Sequence, residues 1–230
     1  MLKRSIEIMH CLRCLGLAIL FAVTCTAVAQ NSANSVGRNA PPIWEPPTLD
    51  FPETSPEPTI PKMMITSLRL ANMKIILEET TLKNVKTRLG GDTGQSGDAS
   101  TAVEWLCFYG VDPDGRWALW LESSEMGGGR VDGFALQRLR DGASVDRRCR
   151  MLRTEDGGFR LPIALRLGMT ETQVRSLIGK PTLRYRNTVS FDHSHEVIIR
   201  NEPFTVSNGV SVGIRGGVVW AIEVWKDTSN

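Results

Sequence analysis

The sequence has few of the residues on which many catalytic and metal sites depend. It contains three histidines among 230 residues, and one of them, His10, lies in a segment that we predict to be removed. No GxSxG, HExxH, P-loop or dinucleotide-binding fingerprint is present. We therefore expect no catalytic residues and no cofactor.

The chain also lacks an excess of either charge. It has 27 basic and 25 acidic residues; three basic residues and Glu7 fall in the first 29 positions, which leaves 24 of each sign. Nucleic-acid-binding proteins usually concentrate positive charge on one surface, so this balance argues against general nucleic-acid binding. The 41% hydrophobic and 23% charged fractions are those of a globular protein and exclude a disordered or fibrous chain.

The apolar run at residues 15–23 is short. It has nine residues, whereas a membrane-spanning helix needs roughly 20. Lys3 and Arg4 precede the run, and Ala27-Val28-Ala29 follows it in the small-x-small pattern that a signal peptidase cleaves. We predict a signal peptide over residues 1–29, cleaved before Gln30, and hence a periplasmic or secreted protein.

Cysteine is scarce after this segment. Cys11, Cys14 and Cys25 leave with the signal, so Cys107 and Cys149 remain. In an oxidising compartment an even pair is most simply a disulfide. A reactive thiol or a metal ligand is the alternative, although no CxxC spacing supports it. Cys25 offers another alternative, lipidation of an outer-membrane lipoprotein, although the residue before it is not Gly, Ala or Ser.

Proline is concentrated near the start of the predicted mature chain. Residues 41–61 contain eight prolines, which favour extended backbone without a hydrogen-bond ladder. We predict a proline-rich disordered linker over residues 30–62. In the alternative interpretation this segment docks on a partner, and Trp44 is the residue that would anchor it there.

One short pattern occurs twice in the folded part. Residues 81–90 align without gaps on residues 170–179, and each begins with a threonine and ends with a glycine. Thr170 and Gln173 have the spacing of a capping box, and apolar residues at i and i+4 mark one buried face. We predict a short capped helix in each segment.

Alternating strand patterns follow each helix, with Asp112 to Gly115 as one turn and Asn208-Gly209 as the strongest hairpin signal. The predicted fold class is α+β, in two tandem units of a short helix plus an antiparallel sheet. The predicted units cover residues 63–142 and 161–230, joined by a connector at 143–160.

The second helix, with the strands that follow it, carries a resemblance to a known family. The segment from Gly168-Met169-Thr170 through Val174, Leu177, Ile178 and Gly179 to Pro181 resembles the SmpA/BamE outer-membrane assembly family. The tandem arrangement is similar to that of the secreted β-lactamase inhibitor proteins. The resemblance implies a non-enzymatic, exported protein that binds another exported or envelope protein through the open face of its sheet, in envelope assembly or as an inhibitor.

The alternation also predicts which side chains lie on that open face. Large aromatic residues on a solvated sheet face are candidate interface anchors, because tryptophan is enriched among residues that dominate binding energy. The alternative is that a loop or the proline-rich segment covers the rings. The candidate partner-binding residues are Trp120, Glu122, Glu223, Trp225 and Phe108.

Two further features have both functional and structural interpretations. His193 and His195 point to the same side of a strand, so a metal-dependent or hydrolytic enzyme is the alternative function, and a polar hairpin is the structural interpretation. The arginine-rich run that includes Arg147, Arg148 and Arg150 indicates either weak contact with anionic lipid or a solvated connector. The sequence leaves the oligomeric state open.

Overall fold

The computed structural model describes residues 40–51, 64–98 and 101–230. The predicted signal peptide at 1–29 lies outside these residues, as does most of the predicted linker at 30–62. No helix in the described part of the chain has the length and apolar character needed to cross a membrane.

The regular structure of the described residues consists of twelve strands, two α-helices and one short 3-10 turn. The helices are α1 (Leu82–Leu89) and α2 (Glu171–Ile178). The first eight strands are β1 (Ser67–Leu70), β2 (Met73–Ile76), β3 (Thr93–Ser96), β4 (Val103–Asp112), β5 (Gly115–Ser124), β6 (Gly133–Arg138), β7 (Arg150–Met151) and β8 (Phe159–Arg160). The last four are β9 (Leu183–Tyr185), β10 (Thr188–Ile199), β11 (Glu202–Arg215) and β12 (Val218–Ser229).

Nine of these strands form one large sheet. Its order is β3-β4-β5-β6-β12-β11-β10-β9, and every neighbouring pair along this path is antiparallel. The short strand β7 pairs in parallel with β4. Strands β2, β1 and β8 form a separate three-stranded antiparallel sheet.

The predicted α+β fold of two tandem helix-plus-sheet units is wrong. Each helix has only eight residues, and most of the regular structure in the described residues is strand. Residues 133–137 of β6 pair with residues 221–225 of β12, so strands from both predicted units belong to one sheet. This pairing satisfies backbone groups that would otherwise be left at two exposed sheet edges. The fold is mostly β, dominated by a large antiparallel sheet.

The local prediction of two capped helices is confirmed. The Thr81 side chain accepts a hydrogen bond from the Asn84 backbone N–H at 3.1 Å, and Thr170 and Gln173 form the expected capping box. The helices end at Gly90 and Gly179, whose φ values of 78° and 121° favour glycine. These features depend on neighbouring residues only, which explains why the sequence indicates them.

The predicted hairpin at Asn208-Gly209 is wrong, because both residues lie inside β11. The turn of that hairpin falls instead at Arg200 and Asn201, which both have positive φ. Asn208 is buried, and its side-chain amide donates hydrogen bonds to the backbone carbonyls of Ile65 and Trp225 at 3.1 and 2.6 Å. A side chain used in this way holds a strand instead of initiating a turn.

One face of the large sheet, called the core face here, packs against both helices and the small sheet. The main buried side chains on this side include Leu68, Leu70, Ile75, Val85, Leu106, Phe108, Leu119, Leu121, Phe134, Val174, Ile178, Phe191, Val210, Val212 and Ile222. Their burial is the main stabilising contribution to the fold. The opposite side, called the second face, carries the alternate residues of the same strands.

Candidate binding surface

Strand register places most of the candidate residues on the second face. Trp105 pairs with Glu122, and Cys107 pairs with Trp120, on strands β4 and β5. Two strands further along, Glu223 and Trp225 of β12 pair with Ala135 and Gly133 of β6. Because side chains of directly paired residues share a face, these residues form two adjacent rows across the sheet.

The leader segment, residues 40–51, covers one part of the second face. The indole N–H of Trp120 donates a hydrogen bond to the Trp44 carbonyl at 2.9 Å, and the ring centroids of Trp44 and Trp105 are 5.9 Å apart. Further along, Leu49 is 5% exposed, and its Cδ2 lies 2.9 Å from the point where a Cβ on Gly213 would stand. In this range the chain is therefore not the free spacer that its prolines predict.

The connector loop next to β4 holds the start of the leader segment. The Ile43 N–H donates to the Ser144 carbonyl, and the Ile43 carbonyl accepts from the Asp146 N–H, each at 3.0 Å. The Arg148 guanidinium lies 4.0 Å from the centroid of the Trp44 ring. Hydrogen bonds from Arg148 lower the pKa of Asp146 to about 2, so this acid stays ionised beside the loop.

The predicted cysteine pair is confirmed beneath this contact. The sulfurs of Cys107 and Cys149 are 2.00 Å apart, and both residues are buried with Trp105 and Trp120. The disulfide ties the connector loop to β4. The loop in turn holds Ile43 and Trp44, so the disulfide supports the covered part of the second face.

Two of the candidate partner-binding residues are not available on an open surface. Trp120 lies on the second face as expected, but its exposed fraction is 0% because the leader segment covers it. Phe108 pairs with Leu119 and is buried in the core face, so its assignment to the second face is wrong. Cys107, its neighbour, is the residue that pairs with Trp120.

The remaining part of the second face is open around Trp225. The exposed fraction of Trp225 is 37%, and its ring lies over Gly209 of the adjacent strand. A Cβ on Gly209 would stand 2.2 Å from Nε1 of Trp225 and 2.7 Å from Oδ1 of Asp192, so only glycine leaves room for both groups. On the other side, Gly133 separates Trp225 from Glu122. The name Trp225 surface is used for this group of residues: Glu122, Gly133, Asp192, Gly209, Glu223 and Trp225.

Glu122 and Glu223 are partly buried on this surface. Burial, reinforced by the charges of Glu223 and Asp132, raises the pKa of Glu122 to about 8, and burial raises the pKa of Glu223 to about 7. One oxygen of each, Oε1 of Glu122 and Oε2 of Glu223, is buried and accepts no hydrogen bond from any described residue. Two acids whose pKa values lie near neutral pH and whose buried oxygens have no hydrogen-bond partner are uncommon, because buried acceptors are normally paired.

The open part of the second face is acidic. Alternation along the paired strands places five carboxyl groups on it, and burial also raises the pKa of Asp192, against the effect of its hydrogen bond from Thr182. Among residues of strands β4, β5, β6, β10, β11 and β12 that share this face, the basic side chains are Arg116, near Ala143, and Arg215, which stacks on Trp220 at the end of β11 away from Trp225. The five acids are Glu122, Asp192, Glu196, Glu223 and Asp227.

The two buried acids make the stability depend on pH. The folded state retains their protons at pH values where the unfolded chain releases them, so their contribution is full below pH 4.5 and is lost as the pH rises from there through 7 and 8. We expect the free energy of unfolding to fall as these acids ionise between pH 5 and 8.5. The fall should be on the order of 2 kcal/mol, less than the full pKa shifts imply, because solvent reaches part of both side chains. Urea denaturation at each pH measures this.

The variant Glu122→Gln isolates the effect. It should match the wild type at pH 5 and exceed it in stability at pH 8.5, because the amide cannot ionise. Glu202→Gln, at the exposed end of β11, is the matched control and should follow the wild type at both pH values. Identical pH profiles for Glu122→Gln and the wild type would contradict the assignment.

The histidine pair lies apart from the Trp225 surface. His193 and His195 stack with ring centroids 5.1 Å apart on β10, on the opposite side of that strand from Asp192 and Glu196. In the described part of the chain, no group of three or more His, Cys, Asp or Glu residues is placed to hold a metal ion. The histidines therefore have no third protein ligand among these residues.

The three arginines predicted to contact lipid are exposed on the connector loop and β7. Arg148 is engaged with Trp44 and Asp146, and Arg150 packs beside Gly90 and Gly91. Arg147 and Asp92 line the same surface depression at this edge. Contact of these residues with anionic lipid stays a prediction.

Sequence reasoning missed the residues that shape the open surface. Gly133 and Gly209 carry no chemical group, and their importance follows from the side chains on neighbouring strands that pass over them. A signal was nevertheless present, because Asp192, Glu223 and Trp225 occupy alternate positions in strands that end up as neighbours. No known protein family, curated protein or solved structure matches the chain.

Proposed function

We propose that this protein is an exported, non-catalytic binding module that holds another exported or envelope protein on the Trp225 surface. Envelope assembly and inhibition of a secreted enzyme are the two settings that the family resemblance implies. The carrying observation is a large aromatic ring, that of Trp225, 37% exposed on a sheet face where Trp105 and Trp120 are covered by the protein's own leader segment.

The chemistry of the surface supports this proposal. Partly exposed tryptophans are enriched among the residues that dominate binding energy, and they are most effective when neighbouring groups exclude water around them. The leader segment borders the surface on one side, and the extended β10–β11 hairpin borders it on the other. A partner segment placed between these two borders would bury the exposed part of the Trp225 ring.

Site-specific photocrosslinking tests the proposal. A photoreactive residue at position 225, in the full chain expressed with its predicted signal peptide, should give an adduct of defined mass with another exported protein. Val218 is the matched control, because it lies on the same strand with an exposed fraction of 38% but near the start of that strand. The same adducts from both positions, or adducts from 218 alone, would contradict the proposal.

Export is a separate part of the proposal and has its own test. We expect the mature chain to begin at Gln30, because residues 27–29 have the pattern of a signal-peptidase site. Mass spectrometry of the protein recovered from outside the cytoplasm measures its first residue. A mature chain that begins at a lipidated Cys25 would identify a lipoprotein, and an unprocessed cytoplasmic chain would contradict export.

A further inference from the structure

Resting on the proposed function, we infer that the partner is held through a lysine or arginine side chain. Its cationic group would lie against the Trp225 ring and reach the carboxyl oxygens of Glu122 and Glu223. The open part of the second face would thus recognise a basic segment of the partner protein.

Charge complementarity is the first argument. Five carboxyl groups share the open part of the second face, whereas the arginines near this face lie at the borders of the covered part. Arg148 stacks on Trp44 at one end of the leader segment, and Arg186 lies 3.7 Å from Asp50 at the other. The acids of the Trp225 surface are therefore left for a cation from outside the described residues.

The unpartnered oxygens of Glu122 and Glu223 are the second argument. A buried acceptor without a donor costs free energy, and hydrogen bonds from a cationic donor to a carboxylate are about twice as strong as neutral ones. Gly133, which pairs with both Glu122 and Trp225, is buried and adds no side chain between them.

The exposed indole is the third argument. A guanidinium or ammonium within about 6 Å of a tryptophan ring is attracted by the negative charge on the ring face. This chain already uses the contact twice, with Arg148 at 4.0 Å from the Trp44 ring and Arg215 at 4.1 Å from the Trp220 ring. Trp225 has the same ring and a partly exposed position, next to acids instead of an arginine.

A bound cation would also change protonation. The charged groups that face Glu122 are Glu223 on β12 and Asp132 before β6, and both are acidic. Asp192 on β10 lies on the far side of the Trp225 ring. Because these neighbours oppose ionisation in the free protein, a cation placed among them favours the carboxylate form. Binding near pH 7 should therefore release protons to solvent.

Calorimetry with a defined peptide tests this inference on the full chain. The probe is an acetylated and amidated pentapeptide with two arginines separated by glycine, and its control has citrulline in place of arginine. We expect the arginine peptide to bind with proton release at pH 7, and its affinity to rise about tenfold between pH 6 and 8.5. The neutral citrulline peptide should show no measurable binding.

Variants separate a specific site from general attraction. The double variant Glu122→Gln/Glu223→Gln should bind the arginine peptide at least about tenfold more weakly and without proton release. Glu202→Gln removes one acid from the core-face side of β11 and should bind like the wild type. Thermal unfolding confirms that each variant is folded.

Three results would overturn the inference: equal binding of both peptides, equal affinity of the double variant and the wild type, or no binding of the arginine peptide at millimolar concentration. Its failure is distinguishable from failure of the proposed function. An adduct at position 225 without arginine binding would retain the function and reject the basic ligand. Arginine binding without any adduct would retain the site for a basic group and reject the protein partner.

Discussion

Replacing Trp120 with alanine is expected to lower the free energy of unfolding by about 3–5 kcal/mol, the usual cost of removing a fully buried tryptophan. The ring is 0% exposed, and its N–H is hydrogen-bonded to the Trp44 carbonyl. The substitution leaves a cavity beside the disulfide and removes the donor that holds the leader segment. Urea denaturation followed by circular dichroism measures the loss.

Trp120→Phe is the matched control, because it keeps most of the apolar volume and removes the indole N–H. Its expected cost is smaller, about 1–2 kcal/mol. A loss below about 1 kcal/mol for Trp120→Ala would show that the ring lies at the surface, as the sequence predicts, and would contradict the covering role of residues 40–51. Trp225, not Trp120, is therefore the suitable position for binding experiments.

Removal of the Cys107–Cys149 disulfide has the second large expected effect. The bond closes a loop with a sequence separation of 42 residues, and its loss restores unfolded-chain entropy worth roughly 4 kcal/mol on the chain-entropy model. The double variant Cys107→Ala/Cys149→Ala should therefore unfold at much lower urea concentration than the oxidised wild type. It should also be cleaved faster by proteases within residues 40–51, because the connector loop that holds Ile43 is released.

Reductant provides the control for this second prediction. It should destabilise the wild type toward the level of the double variant and leave the double variant itself unchanged. If the wild type and the double variant unfold at the same urea concentration in the absence of reductant, the disulfide contributes no stability, and its proposed support of the leader segment is wrong.

The sequence predicts well the features that depend only on residues close together in the chain. Thr170, Gln173 and Gly179 place one helix through contacts within a single turn, and the cysteine pair follows from counting. Alternation also assigns Trp120, Glu122, Glu223 and Trp225 to one face. The side of Phe108 was assigned wrongly because it depends on the register between β4 and β5, which alternation within one strand does not determine.

Long-range contacts account for the other errors. The joining of two four-strand groups into one sheet depends on pairing between residues 133–137 and 221–225, which are distant in sequence. The covering of Trp120 depends on a hydrogen bond to the Trp44 carbonyl, and prolines alone do not specify what residues 40–51 contact. Asn208-Gly209 has the composition of a turn, but the buried amide of Asn208 finds its hydrogen-bond partners inside the sheet.

The central claim is that residues 40–51 divide the second face into a covered part and an open part centred on Trp225. Hydroxyl-radical footprinting with mass spectrometry measures this directly, because it reports the oxidation rate of each tryptophan in the folded protein. We expect Trp225 to be oxidised much faster than Trp105 and Trp120, whose exposed fractions are 1% and 0%. Oxidation of Trp120 as fast as that of Trp225 would contradict the account.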